Sequence, residues 1–259
     1  MIDIHCHILP GLDDGAQTIE DALTMADQAI ENGITDIIAT PHHQTRRFHN
    51  ESHIVKRAVH ELNRKLAETG RSLKIHPGQE IRMYGELIED LRSGTSIALG
   101  KNQNPYVLVE FPSSQIPVFA QRVLYDLQVE GYRPIIAHPE RNSMIVEKPE
   151  RLLELVQQGV LTQLTATSVA GEFNKKVQKF SLQLIESNQA HFIASDAHNT
   201  GARGFSMQKA YQVITDRFGS QVTSEMKEHS TSVLSGELFV PAPPELIRKQ
   251  SFLRRILPI

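Results

Sequence analysis

The strongest constraint on this chain is an alternation. Short apolar runs rich in β-branched residues recur along it: "MIDIHC", "DIIATPH", "LKIHPGQEI", "YVLVEF", "RPIIAHPE", "LTQLTATSV" and "HFIASDAH". Each closes on Gly, Pro or polar residues, as strands do. Between most of them stand helical patterns: "TIEDALTMADQAIENG", "ESHIVKRAVHELNRKLAETG", "PVFAQRVLYDLQVEG", "KPERLLELVQQG" and "NKKVQKFSLQLIESNQ". Several of these end at Gly or Asn, which suits a helix C-cap. Strands alternating with helices imply βα units and a parallel sheet. Seven such units in 259 residues predict an α/β fold, a closed or nearly closed barrel in a single domain. The expected domain runs over residues 1–240. The last stretch, 241–259, "PAPPELIRKQSFLRRILPI", is proline-rich and then basic and apolar. It is a tail that packs on the body or frays, or a segment that docks on a partner or touches a membrane.

The ends of the strand candidates carry an unusual set of side chains. The first offers His5 and His7, with Asp13 and Asp14 just beyond in "LDDG". The second ends in Thr40-Pro41-His42, the third holds Glu80, the fourth Glu110, the fifth His138, and the seventh Asp196 and His198. In α/β barrels the C-terminal strand ends are where chemistry collects. Side chains alternate faces along a strand, so His5 and His7 share a face and Cys6 points away; the same holds for Asp196 and His198 about Ala197. Imidazoles and carboxylates converging in this way suit Zn, Mn or Fe ions. Nine candidates (His5, His7, Asp14, His42, Glu80, Glu110, His138, Asp196 and His198) are too many for one ion and fit two or three.

Taken singly, most of these residues have ordinary explanations. A lone histidine such as His76 or His191 is more often packed than ligating, and His43 falls on the other face from His42. Glu110 is harder to dismiss, because an unpaired carboxylate in an apolar strand is costly. The joint pattern of two paired motifs and further single ligands, all at strand ends, carries the metal reading.

Composition removes other classes. The net charge of −3 and pI near 6.5 lack the basic excess of a nucleic-acid binder. A single cysteine allows no intrachain disulfide, and a reducing cytoplasm is the natural setting. No signal peptide and no membrane-spanning run is expected.

The motifs "DIHCH", "TPH", "GQE", "VEF", "AHPER" and "SDAH" resemble the metal motifs of the polymerase and histidinol phosphatase (PHP) superfamily. Up to about residue 240 the chain resembles its bacterial protein-tyrosine-phosphatase branch, found in capsular and extracellular polysaccharide operons. "MIDIHCHILPGLDDG" and "IAHPERN" are the branch-specific stretches, and all nine ligand positions match. The resemblance implies a distorted (β/α)7 TIM-like barrel and a trinuclear site, usually manganese, with iron, cobalt or zinc as alternatives. It also implies cytoplasmic dephosphorylation of phosphotyrosine proteins, bacterial tyrosine kinases among them, that control polysaccharide export. Within it, His5, His7 and Asp196 hold one ion, with Glu80 bridging to a second. Glu110 and His138 complete the second, and Asp14, His42 and His198 hold the third.

A cysteine mechanism is not expected, since the C-x5-R loop of cysteine phosphatases would need Arg where Leu12 stands. The expected nucleophile is hydroxide from metal-activated water. Arg141 and Arg203, just past ligand motifs, are the expected phosphate-binding and catalytic arginines, because a guanidinium fork matches phosphate oxygens. The stretch "HHQTRRFHNES" reads as a basic rim for an acidic phosphopeptide or as a plain exposed loop. The metal motifs also suit a PHP phosphoesterase of histidinol phosphate or another small phosphomonoester. A PHP nuclease is disfavoured by the charge, and a regulatory relic by the complete ligand set.

Overall fold

A computed structural model describes residues 1–100 and 105–247. Among them are nine strands: β1 (Ile2–Cys6), β2 (Asp36–Ala39), β3 (His42–His43), β4 (Lys74–Pro77), β5 (Glu80–Arg82), β6 (Tyr106–Glu110), β7 (Arg133–Ala137), β8 (Leu161–Thr165) and β9 (Phe192–Ala194). The helices are α1 (Ile19–Glu31), α2 (Ser52–Glu68), α3 (Leu87–Ser93), α4 (Ala120–Val129), α5 (Ser143–Glu147), α6 (Glu150–Gln157), α7 (Ala166–Ala170), α8 (Lys175–Glu186), α9 (Met207–Phe218) and α10 (Ser220–Ser235). None is long and apolar enough to cross a membrane.

All strand pairs are parallel. They form two sheets, β1-β2-β4 and β3-β5-β6-β7-β8-β9. The sheets are pieces of one ring. The second expected strand breaks at Thr40-Pro41 into β2 and β3, and the third breaks at Gly78-Gln79 into β4 and β5. Proline has no N–H to give the ladder. At Gly78 a Cβ would lie 2.5 Å from Leu99 Cδ2 and 2.7 Å from Ile38 Cγ2, so the backbone can bend there only without a side chain. The ring closes between the first and last strands through a bridge from Cys6 to Ala197. Two backbone bonds secure it, His7 N–H to the Ala197 carbonyl (2.9 Å) and Asp196 N–H to the His5 carbonyl (2.8 Å). This is a barrel of seven strand positions, distorted where two of them kink.

The barrel interior holds its own apolar cluster, with Ile4, Ile38, Leu108, Ile135, Leu161 and Phe192 meeting from six strands. A larger cluster lies between the outer strand faces and the helices, where Ile37, Val107, Ile136, Leu164 and Ile193 pack. Burying both faces explains why the strands read as nearly continuous apolar runs. The sixth expected strand is shorter than its apolar run: β8 stops at Thr165 and "ATSVA" turns into α7. The helices α9 and α10 cover the β1–β9 side, α9 through the stripe Met207, Ala210, Tyr211 and Ile214.

The far end of the barrel is capped by the segment after α10. Tyr106 OH donates to the Glu237 carbonyl (2.7 Å) and Arg133 to that of Phe239 (3.0 Å). Phe239 stacks on His229 at 3.9 Å between centroids. Asn188 and Gln189 donate to the carbonyls of Pro243 and Glu245. The basic-apolar part of the expected tail, residues 248–259, lies outside the described residues.

Candidate metal centre

The inward face of each strand changes character along its length. On β9, Phe192 and Ala194 join the interior apolar cluster, and Asp196 and His198 follow in the same phase. On β6, Tyr106 and Leu108 lead to Glu110. The apolar floor therefore ends where the polar cluster begins. The sequence candidates arrive there from different strands. His5 is near the end of β1 and His7 just past it; His42 and Glu80 open β3 and β5 and are register partners. His138 follows β7 in a left-handed conformation (φ 33°), and Asp196 is also left-handed (φ 51°). Two non-glycine residues held in this costly region at one site suggest selection for side-chain aim over backbone comfort.

All nine candidates converge. Their donor atoms form four groups, each within 4.8 Å: His5, His7 and Asp196; His5, Glu80 and His138; His42, Glu80 and Glu110; and His7, Asp14, His42 and His198. The geometry thus brings Glu110 to His42 rather than to His138, and adds His7 to the group around Asp14. A neutral imidazole offers one lone pair. His5, His7 and His42 each belong to two groups and can serve one at a time, so the set supports two or three ions, not four.

The hydrogen bonds fix which lone pairs are free. His5 Nδ1 donates to Gln163 Oε1 (2.8 Å), and His7 Nδ1 donates to Asp13 Oδ2 (2.7 Å). Both Nε2 atoms then carry lone pairs, and they face each other at 3.2 Å. Two neutral imidazoles so placed repel unless a proton or a metal ion lies between them. His42 Nδ1 is 2.8 Å from Glu80 Oε2, yet neither atom has a partner with hydrogen-bond geometry; Glu110 Oε2, 3.9 Å from His42 Nδ1, is ion-paired with Arg82. These buried atoms point their lone pairs into common space. The donor set is nitrogen and oxygen throughout, which fits divalent ions of the manganese, iron or zinc kind.

Despite their burial, and by the protein's own charges alone, His5, His7 and His42 all move upward, because the cluster's carboxylates favour protonated imidazoles. Burial disfavours charge on Glu80, but the imidazoles of His42, His5 and His138 hold its carboxyl well below the usual range. Glu110 moves upward, pushed by burial and then by the Glu80 charge. Asp14, half exposed, is held low by its hydrogen bond to His198.

Arg141 pairs with Asp196, and Arg203 donates to Asp14 (3.1 Å) and approaches His198 Nε2 (2.7 Å). Both expected arginines therefore stand at the cluster. Cys6 does not. It is fully buried on the outer side against the Ala197 carbonyl, and burial pushes its thiol well up. His43 lies outside the cluster, its ring tilted against His49 at 4.9 Å between centroids. His76 pairs with Asp36, and His191 is buried where it accepts the Thr162 N–H. In the stretch after β3, Phe48 stacks on His42 at 6.0 Å and Arg47 lies over Phe48.

Three residues at the site were not among the sequence candidates. Asp13 orients His7, and its Oδ2 also accepts the His42 N–H (3.0 Å). Gln163 orients His5 from the strand that supplies no ligand. Arg82 pairs with Glu110 at 2.9 Å. Alternation would have found two of them, since Arg82 is two residues after Glu80 and Gln163 is a polar residue on an inward phase. Gly15 packs on the backbone of His7: a Cβ there would lie 2.0 Å from the His7 carbonyl oxygen.

Residues 1–234 match the family model described as capsular polysaccharide synthesis, CpsB/CapC. The chain is 44% identical over 250 residues to the tyrosine-protein phosphatase YwqE of Bacillus subtilis, covering 96% of this chain and 98% of that one. It is 28% identical over 255 residues to the tyrosine-protein phosphatase CpsB of Streptococcus pneumoniae, covering 96% and 99%. A solved structure from work on those two proteins, described there as metal-dependent tyrosine phosphatases, superposes with a TM-score of 0.92. That structure shares 43% identity with this chain, covering 96% of this chain and all of the other.

Proposed function

Because the chain belongs to the CpsB/CapC family of capsular polysaccharide synthesis, we propose that it is a metal-dependent protein-tyrosine phosphatase of the PHP type. Its substrates are phosphotyrosine proteins, a bacterial tyrosine kinase among them, and its setting is the cytoplasm. Residues 1–240 form the phosphatase domain, with 241–259 as its tail. The observation that carries the reading is the pairing of a wholly nitrogen and oxygen ligand set with two arginines, one on Asp196 and one on Asp14 and His198. An arginine fork beside a metal cluster is suited to a phosphoryl group.

His5, His7, Asp14, His42, Glu80, Glu110, His138, Asp196 and His198 would hold two or three ions, for which we propose manganese. Bound there, the ions supply Lewis acidity and activate water near neutral pH. Arg141 and Arg203 take phosphoryl oxygens and stabilise the charge that builds on them during transfer. Asp13 and Gln163 hold His7 and His5 in the tautomer that leaves Nε2 free. Cys6, buried and protonated, takes no part.

The test is phosphate release from a phosphotyrosine peptide and from histidinol phosphate, with enzyme stripped by a chelator and reconstituted with manganese. Metal-dependent release from the peptide, retained in Cys6→Ser, is the expected result. Release from histidinol phosphate alone would keep the metals and move the function to small-molecule metabolism.

A further inference from the structure

A cavity of about 460 Å³ opens beside the cluster, within the usual size for small-ligand sites, about 300–1,000 Å³. Glu110, His138 and Arg141 line it, so it is continuous with the proposed phosphate site. Its other walls are largely apolar and include Ile136, Val146, Val177 and Phe180.

Phe173 also lines this cavity, and it is 56% exposed. The Arg141 guanidinium carbon lies 5.7 Å from its ring centroid. Nothing in the local fold requires a phenylalanine here. Asn174 caps α8 by accepting the Val177 N–H, which puts Phe173 one residue before the cap. A hydrophobic residue at that place often packs on the fourth helical residue, but here that residue is Gln178, which instead donates to the Val169 carbonyl. The ring is left facing the cavity.

The start of α8 breaks a second rule. Acidic side chains suit a helix N-terminus, as Glu20 and Asp21 do in α1. The first turn of α8 has no acid and begins with Lys175 and Lys176. Both are exposed, and Lys176 lines the cavity. Two cations on a positive helix end make a field that attracts an anion to this rim.

We propose that this cavity takes the phenyl ring of the substrate phosphotyrosine, with Phe173 as its stacking wall and Arg141 shared between ring and phosphate. The assignment rests on the phosphatase reading above and deepens it: the enzyme selects aryl over alkyl phosphomonoesters because only an aryl group fills the apolar cavity. Phosphoserine and phosphothreonine reach the ions but leave the cavity empty.

The experiment compares kcat/KM for one peptide carrying phosphotyrosine or phosphoserine at the same position. It uses manganese-reconstituted wild type, Phe173→Ala and Phe173→Tyr. Inhibition by phenylphosphonate and by methylphosphonate gives the same comparison without turnover. An aromatic pair is worth enough that the aryl-over-alkyl ratio should fall about tenfold in Phe173→Ala and stay near wild type in Phe173→Tyr. A ratio unchanged in Phe173→Ala, in both assays, would overturn the cavity assignment and leave the phosphatase reading standing. A wild type inactive on phosphotyrosine would overturn both.

Discussion

Replacing Asp13 by Asn tests the metal site without touching a proposed ligand. Asp13 is nearly fully buried and has three donors on two oxygens: His7 Nδ1 (2.7 Å) and His42 N–H (3.0 Å) on Oδ2, and Gly15 N–H (2.9 Å) on Oδ1. An amide has the same shape but only one acceptor. If its oxygen serves His7 and His42, its NH2 meets the Gly15 N–H. If its oxygen serves Gly15, its NH2 meets two donors, and His7 is driven to the tautomer that protonates Nε2. Either way one buried donor goes unsatisfied, at about 1–3 kcal/mol. His7 also loses its charge-assisted partner, which makes it a weaker ligand. Removal of such a partner typically weakens metal binding about 10–100-fold, equivalent to roughly 1.4–2.8 kcal/mol. The assay is a competition titration of stripped protein with manganese against a fluorescent chelator, with thermal unfolding of the metal-free forms alongside. Weaker manganese binding in a folded Asp13→Asn protein is the expected outcome. Affinity within threefold of wild type would refute the view that Asp13 sets the His7 tautomer.

Arg141→Ala and Arg203→Ala should each lower kcat/KM on a phosphotyrosine peptide about 100-fold with metal content intact by elemental analysis; unchanged turnover in both would remove arginine from the chemistry. Gly15→Ala drives a Cβ into the His7 carbonyl, so both the melting temperature and manganese affinity should fall, and a variant with wild-type values of both would contradict the packing. His191 is held at about 3, by burial first and then by the His229 and Arg133 charges. Its unfolded form titrates near 6.5, so the unfolded chain binds more protons in between and stability falls as pH drops below 6.5. At pH 5 that is about 2 kcal/mol. His191→Gln should therefore lose less stability than wild type between pH 7 and pH 5 in urea unfolding, and equal losses would refute the assignment.

Much of the site was legible because strand alternation ties sequence spacing to direction. The phase of "FIASDAH" alone places Asp196 and His198 beyond the apolar floor, and the structure brings both to the cluster, although β9 ends at Ala194 and Asp196 turns left-handed. Alternation fails at β1. The register slips between Asp3 and Cys6, and Ile4 packs in the interior cluster while His5, its neighbour, reaches Glu80 and Asp196. A bulge puts two successive residues on one side, and no local pattern announces it. The breaks at Pro41 and Gly78 were hidden for a different reason. Both lie in runs that read as single strands, and only crowding by Leu99 and Ile38 shows why Gly78 must lack a side chain. Gln163 was readable as a polar residue on an inward phase, but its role was not, because that role depends on a partner 158 residues away, His5. Asp13 escaped because it lies in the loop beyond β1, where alternation gives no direction.

The seam between β1 and β9 has a consequence for synthesis. His5 and His7 leave the ribosome some 190 residues ahead of Asp196 and His198. At typical elongation rates that interval is roughly 10 to 40 s. Through all of it the two histidines have no carboxylate from the last strand, and the ring has no closing contact. Metal capture by the full set must therefore come after translation of the barrel, as a final assembly step. A chain ended before Asp196 would carry the β1 histidines without their closing carboxylate and remain inert, so that activity appears only once the barrel has closed.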